Sequence, residues 1–391
     1  MKPVFRCLAV FVITNLLFSC RGGSASTAVK QQYPEGRIIE NLYAGNFTIT
    51  DYSNYRNVVV RNGGSEEYSY YLYRGVKPDI IFKDKKPPKR QHHIFIKIPV
   101  ERVVSLSSEN IVFLDALGGL DKLKGIDLQK NTSVREVKEL VRAGKIIQTG
   151  EGRDIDTEIL YAVAPDAVFS PWTGGDYDGA ALLGEQGFPV IVTAGWLESH
   201  PLGRAEWMVF VSLFLDREEK GRELFRITSD RYKALKEAAE EISKEPEKKP
   251  VVLSNMIYGD SWGLPGGQSY AGILFSDAGA IYPWSDNDNT GSIFLDFETV
   301  FSLAGDARIW LVNSSGITTK EDILKKDSRY ALFSAFKDGR IYNNNLMETE
   351  GGNPYWDEGT AFPDRILSDL IKIFHPQVSG TEDLNYFKEV K

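Results

Sequence analysis

The sequence is poor in the residues that most often carry covalent or metal chemistry. Among 391 residues there are two cysteines, Cys7 and Cys20, and four histidines, His92, His93, His200 and His375. Cys7 lies in an amino-terminal apolar run, so the body keeps only Cys20; an internal disulfide is excluded and stability must come from buried apolar surface. The histidines are too scattered for a zinc-binding spacing, and His92 and His93, adjacent on a strand, would face opposite sides of it. No H-E-x-x-H, phosphate-loop or dinucleotide G-x-G-x-x-G string occurs, and no nucleophile elbow is expected. Basic clusters are also missing: 54 acidic against 46 basic residues give a net charge of −8 and no nucleic-acid footprint. Beyond the amino terminus no run is long and apolar enough to suggest a transmembrane helix.

That terminus has its own pattern. Lys2 and Arg6 precede an apolar run from Cys7 to Phe18, too short to span a bilayer and of the length of a secretory signal. Leu17-Phe18-Ser19-Cys20 resembles the lipobox of bacterial lipoproteins, which implies removal of residues 1–19 and lipidation of Cys20. Residues 20–29, rich in Gly and Ser, would then be a flexible tether.

The longest periodic stretch is Asp216 to Lys244. Apolar residues at Leu224, Ile227, Tyr232, Leu235, Ala239 and Ile242 follow a helical period over about five turns. Asp216 with Glu219 predicts a capping box, and Pro246 bars continuation. On either side the texture differs. Residues 30–100 read as short strands, at Phe47 to Ile49, Val58 to Val60, Tyr68 to Tyr73 and Ile94 to Ile98, with a solvated loop from Lys83 to Arg90. From Arg102, β-branched strands alternate with helices, and the alternation resumes after the long helix, which predicts parallel sheets covered on both faces. The expected fold is therefore α/β, two βα lobes joined by one long helix, with a small β-rich amino-terminal extension. The expected divisions are an extension over 30–100, a first lobe over 101–200, a linking helical segment over 201–246, a second lobe over 247–376 and a tail over 377–391.

With the lipobox, this order of segments resembles the substrate-binding lipoproteins and periplasmic proteins of ABC importers for iron-siderophore complexes, haem and vitamin B12. The resemblance rests on Arg102 to Ser107 with Leu114 to Gly118 and Leu123 to Asp127, on Asp156 to Leu160 leading to Ala164 to Val168, and on Pro265 to Tyr270 with Asp277 to Ala280. It spans residues 101–376 and says nothing firm of residues 30–100. It implies a lipid-anchored monomer on the periplasmic side of the envelope that hands a metal chelate to a permease with its ATPase, with no cofactor and no reaction catalysed. It also implies that Glu158 and Glu298, one on each lobe, dock to arginines of the permease.

A bulky chelate asks for large apolar faces and a few orienting polar groups at the strands' carboxyl ends. Trp172, after a strand and beside Gly174-Gly175, is one candidate, and it looks like the cleft tryptophan carried by several cobalamin binders. In the second lobe Tyr258, Trp262, Tyr270 and Trp284 sit in stretches rich in Gly, Pro and Asp. Ser107 and Ser108 precede a helix and can offer hydroxyls and free amides to an anionic group. Arg204, with Glu198, is a further candidate. The candidate loops show no basic cluster, so tetrapyrroles rank slightly ahead of ferric siderophores. Two other readings stand beside this one: an envelope enzyme of chelatase type, with His200 and Glu198 as its general-base pair, and a surface lipoprotein that scavenges ligand without a permease.

Overall fold

The computed structural model describes residues 35–61, 66–80, 91–150, 154–173, 179–349, 352–379 and 383–391. The expected signal segment, Cys20 and the tether lie outside these residues, and so does the expected loop from Lys83 to Arg90.

Five strands form the extension: β1 (Arg37–Ile39), β2 (Phe47–Asp51), β3 (Tyr55–Arg61), β4 (Glu67–Tyr73) and β5 (Gln91–Lys97). They pair in chain order, antiparallel except that β4 and β5 run parallel. Alternation in sequence becomes a one-sided sheet: Phe47, Ile49, Val58, Val60, Tyr68, Tyr70, Leu72 and Ile96 are buried in the core shared with the first lobe. His92 stacks on Tyr68 at 4.4 Å while His93 Nδ1 lies 3.0 Å from the Tyr71 hydroxyl.

The first lobe runs β6 (Val103–Ser105), α1 (Ser108–Ala116), β7 (Leu123–Ile126), α2 (Arg135–Arg142), β8 (Ile147–Gln148), α3 (Thr157–Val163), β9 (Ala167–Pro171), α4 (Gly179–Glu185) and β10 (Val190–Thr193). The strands form a parallel sheet in the order β10-β9-β6-β7-β8. Its central strands are buried on both faces, which is why they read as unbroken apolar runs.

Two helices follow, α5 (Pro201–Phe214) and α6 (Glu218–Ile242). At about 1.5 Å per residue α6 is roughly 37 Å long. The expected capping box is absent. Asp216 has φ 58° and the helix begins at Glu218 without a side-chain cap. Arginines of the extension take the carboxylates instead: Arg74 pairs with Asp216, and Arg56 with Glu218. α5 and α6 cross closely at Gly221, where a Cβ would lie 2.4 Å from Ser212 Oγ.

The second lobe comprises β11 (Val252–Ser254), β12 (Ile257–Tyr258), β13 (Ser261–Pro265), α7 (Tyr270–Asp277), β14 (Ser292–Leu295), α8 (Phe297–Ala304), β15 (Ile309–Leu311), α9 (Lys320–Lys326), α10 (Ser334–Asp338), β16 (Ile341–Asn343), α11 (Glu358–Ala361), α12 (Pro363–Phe374), α13 (Pro376–Ser379) and β17 (Lys388–Glu389). β11, β15 and β16 are parallel, and β17, from the carboxyl-terminal segment, adds an antiparallel edge. Asp369 holds that segment by accepting from the amides of Asn385 and Tyr386 at 2.8 and 2.7 Å. β12, β13 and β14 make a separate antiparallel sheet where the sequence suggests only a loop. Gly259-Asp260-Ser261-Trp262-Gly263 does have the G-x-S-x-G spacing that the motif reading excluded. It forms the turn and second strand of the β12-β13 hairpin, not the strand-to-helix turn of a nucleophile elbow.

Candidate functional site

The strand order places the first lobe's carboxyl-terminal loops in a row: Trp196 after β10, Trp172 after β9, Ser107 after β6, Leu128 after β7 and Gln148 at the end of β8. With about 4.8 Å between neighbouring strands, the row from β10 to β8 is on the order of 19 Å long. The second lobe meets it along a seam. Ser133, after β7, donates from its amide and hydroxyl to Asp357, at 3.1 and 2.7 Å, and Lys138 Nζ on α2 donates to Thr349 Oγ1 at 3.0 Å.

One end of the row is aromatic. The rings of Trp172 and Trp196 stack with centroids 6.4 Å apart and an interplanar angle of 13°. Trp196 Nε1 donates to the Trp172 carbonyl at 2.9 Å, and Trp196 is 46% exposed. Arg204 on α5 fixes this corner: Nε donates to the Glu198 carbonyl at 2.8 Å and Nη2 to the Trp196 carbonyl at 3.0 Å. Its guanidinium also lies 4.3 Å from the ring centroid of Tyr270, so one side chain ties the tryptophan loop to the second lobe. Glu109, in the first turn of α1, lies within the same corner beside Gly195. Its Oε1 is sealed from water without a hydrogen-bond partner, and burial, opposed by Arg204 and reinforced by Asp357, pushes its carboxyl up to about 7.

The other end is basic. A cavity of about 640 Å³ is lined by Leu128, Gln129, Lys130, Lys138, Arg142 and Gln148 of the first lobe and Thr349 of the second. Sequence reading saw no basic cluster because it looked in the tryptophan and tyrosine loops. The signal lay elsewhere, in Lys138 and Arg142 four apart on one face of α2.

The remaining candidates divide. Ser107 sits at the N-cap of α1 without a capping bond from its side chain, and Ser108 starts the helix, both half-buried at the centre of the row. Tyr270, at the start of α7, faces Arg204 and is pushed above its ordinary pKa by burial. Trp262 and Trp284 are not at the cleft surface. Trp262 is fully buried on β13 among Trp310, Tyr330 and Phe333, with Nε1 bonded to the Ser254 carbonyl at 3.0 Å; strand alternation turns it inward. Trp284 is packed edge-on against Tyr282 in the second lobe's core. Tyr258, 92% exposed, pairs with Ser261 on the opposite face of that small sheet, where Phe294, 71% exposed, lies across from Gly263.

Glu198 and His200 have structural partners. Glu198 accepts from the amides of Gly45 and Asn46 at 3.0 and 2.9 Å, and from Trp207 Nε1 at 3.3 Å. His200 Nδ1 caps α5 by accepting from the Leu202 amide at 3.1 Å, its ring stacked on Tyr43. The proposed general-base pair therefore clamps the extension and starts a helix.

On the outer surface Glu158 and Glu298 occupy matching places, two residues after the capping aspartates Asp156 of α3 and Asp296 of α8. Both are exposed, and Glu298 meets Arg329 at 3.2 Å.

Comparison with known proteins places this geometry. A family model described as periplasmic binding protein matches residues 103–344, more than half of the chain. An uncharacterised lipoprotein of Methanocaldococcus jannaschii is 26% identical over 370 residues, covering 88% of this chain and 84% of its own. Among solved structures, the periplasmic haem-binding protein RhuT of Roseiflexus sp. RS-1 matches with a TM-score of 0.55 at 21% identity, over 70% of this chain and 98% of its own. The molybdate-binding protein MolA of Haemophilus influenzae matches with a TM-score of 0.54 at 17% identity, over 74% and 91%. The two lobes, their connecting helix and the family match agree, and the chain belongs to the periplasmic binding protein family.

Proposed function

We propose that the chain is the substrate-binding component of an ABC importer, lipid-anchored at Cys20 in the cell envelope, that captures a metal chelate of the haem, cobalamin or ferric siderophore class and delivers it to a permease. The observation that carries this reading is the interlobe site itself: an aromatic corner and a cavity of about 640 Å³ along the strands' carboxyl ends, in a chain of this family. Similar structures include a haem-binding and a molybdate-binding protein. Trp172 and Trp196 offer a stacked apolar face, Arg204 and Tyr270 join it to the second lobe, and Ser107 with Ser108 add polar groups between. The work is capture and hand-over, with no bond made or broken.

Glu158 and Glu298 are the proposed docking residues. Each is exposed near a helix start, where a carboxylate is stabilised and an exposed charge steers encounter. The test is uptake of radiolabelled chelate by cells carrying the double variant Glu158→Ala/Glu298→Ala. Uptake is expected to fall to background while the purified protein binds as before. Undiminished uptake would contradict a permease partnership and favour a scavenging lipoprotein.

A further inference from the structure

We propose that Tyr161 and Phe301 are apolar anchors through which the outer surface binds its partner, each seated beside one of the two exposed glutamates, Glu158 and Glu298. The proposal rests on the substrate-binding reading and describes its partner: a permease that offers an apolar pocket next to a cation, and offers it twice. The chain writes the same helix face on both lobes. Asp156, Glu158, Leu160, Tyr161 and Ala162 along α3 correspond to Asp296, Glu298, Val300, Phe301 and Ser302 along α8. In each helix the aspartate is the cap and Leu160 or Val300 is fully buried, while the glutamate, the ring and the small residue are exposed. Places three and four apart share one face of a helix, so carboxylate and ring stand side by side, about 5–6 Å apart at their Cβ atoms. A single exposed ring is ordinary on a protein surface. The same ring position beside the same carboxylate on two lobes is not.

Both rings are held in place before any partner arrives. Tyr161 is 59% exposed, yet its hydroxyl donates to the Gln186 carbonyl at 3.3 Å and its ring lies 4.7 Å from Phe188. Phe301, 36% exposed, lies parallel to Phe297 at 6.2 Å and edge-on to Phe333 at 5.2 Å. A ring already fixed loses little freedom when it is covered, so its buried area goes into affinity. An exposed leucine lies in the segment next to each ring: Leu182 on α4, one turn before Gln186, and Leu332, next to Phe333. Charge complements the apolar area. Around Phe301, one guanidinium, Arg329, is shared between Glu298 at 3.2 Å and Asp327 at 2.7 Å, so the group keeps a net negative charge. A partner therefore meets an acidic edge and an apolar ring at both places. Exposed carboxylates mainly steer encounter and fix register, whereas a covered aromatic side chain supplies the larger share of binding.

The test is uptake of radiolabelled haemin, cyanocobalamin or ferrichrome by spheroplasts that lack their own copy of the chain and are supplied with the purified full chain. The reading is the concentration of chain that gives half-maximal uptake. Tyr161→Ser and Phe301→Ser should each raise it about tenfold, and the double variant about 100-fold, the scale of an aromatic anchor lost from an interface. Tyr161→Phe and Phe301→Tyr should keep the wild-type value, since the ring and not the hydroxyl is the anchor. Chelate binding and thermal unfolding of the purified variants should be unchanged, which separates lost docking from lost fold. Added salt should weaken uptake by the aromatic double variant as much as by the wild type, and should weaken Glu158→Gln/Glu298→Gln less. A wild-type half-maximal concentration in the folded Tyr161→Ser/Phe301→Ser protein, with uptake lost in the glutamate variant, would overturn the proposal and leave the permease reading standing. Uptake undiminished by either pair of substitutions would overturn both.

Discussion

Glu109 shows how one residue can report on the seam. Its carboxyl is pushed up to about 7 by burial, with Arg204 on α5 opposing and Asp357 reinforcing. The unfolded chain would lose the proton near the ordinary value of about 4.3. Because the folded value is raised, this contribution to stability is complete below the unfolded value and is lost as pH rises through 7. Glu109→Gln should therefore flatten the stability profile between about pH 4.5 and 7 and raise stability at pH 8 by roughly 2 kcal/mol, by urea denaturation. An unchanged slope would show that the carboxyl is solvated. At this scale the sequence was only partly legible. Trp172 was named because loops after strands in α/β sheets line clefts, and the structure sets it in one corner with Trp196 and Arg204. Trp262 was misjudged because a Gly- and Pro-rich stretch hid a strand, and strand alternation sends Trp262 inward while Tyr258 faces out. Lys138 was not singled out, since nothing local to α2 reveals that Thr349 lies opposite.

Among the elements, the extension and the helix pair carry the clearest predictions. The loop from Leu42 to Asn46 is gripped by two carboxylates, one on α5 and one just before it. Glu206 accepts from the amides of Leu42, Tyr43 and Ala44 at 2.7, 2.7 and 2.8 Å, and Glu198 takes those of Gly45 and Asn46. Bonds to a charged acceptor are the stronger kind, so Glu206→Ala should cost about 3 kcal/mol and expose the loop to protease, while Glu206→Gln should cost less. Measured in urea, a loss under about 0.5 kcal/mol would mean that water replaces these bonds. Gly221 is the second test. A Cβ there would meet Ser212 Oγ at 2.4 Å and Cβ at 2.6 Å, so Gly221→Ala should destabilise by about 1–3 kcal/mol despite alanine's better helix propensity. The companion Ser212→Gly/Gly221→Ala should recover part of that loss. Four of the five strands of the extension were readable from their β-branched and aromatic runs, β1 was not, and α6 was readable from its period. Its start was not: Asp216 and Glu218 are bound by Arg74 and Arg56, more than a hundred residues earlier, and sequence capping rules see only neighbours.

For the whole molecule, two apolar cores, one in each lobe and the first shared with the extension, are joined through α5 and α6. This architecture was legible because alternation of strand and helix is a long-range pattern repeated on either side of one unbroken helix. The chemistry of the seam was not, since it arises where residues 128–148 meet residues 349–357. The central claim is that the seam holds a chelate between the lobes. Trp172 and Trp196 report on it directly, so the decisive measurement is tryptophan fluorescence of the full chain titrated with haemin, cyanocobalamin and ferric siderophores. Saturable quenching by one ligand at sub-micromolar concentration, with most of the amplitude lost in Trp196→Phe, is the predicted result. Absence of saturable quenching by every ligand, or quenching unchanged by that substitution, would contradict the account.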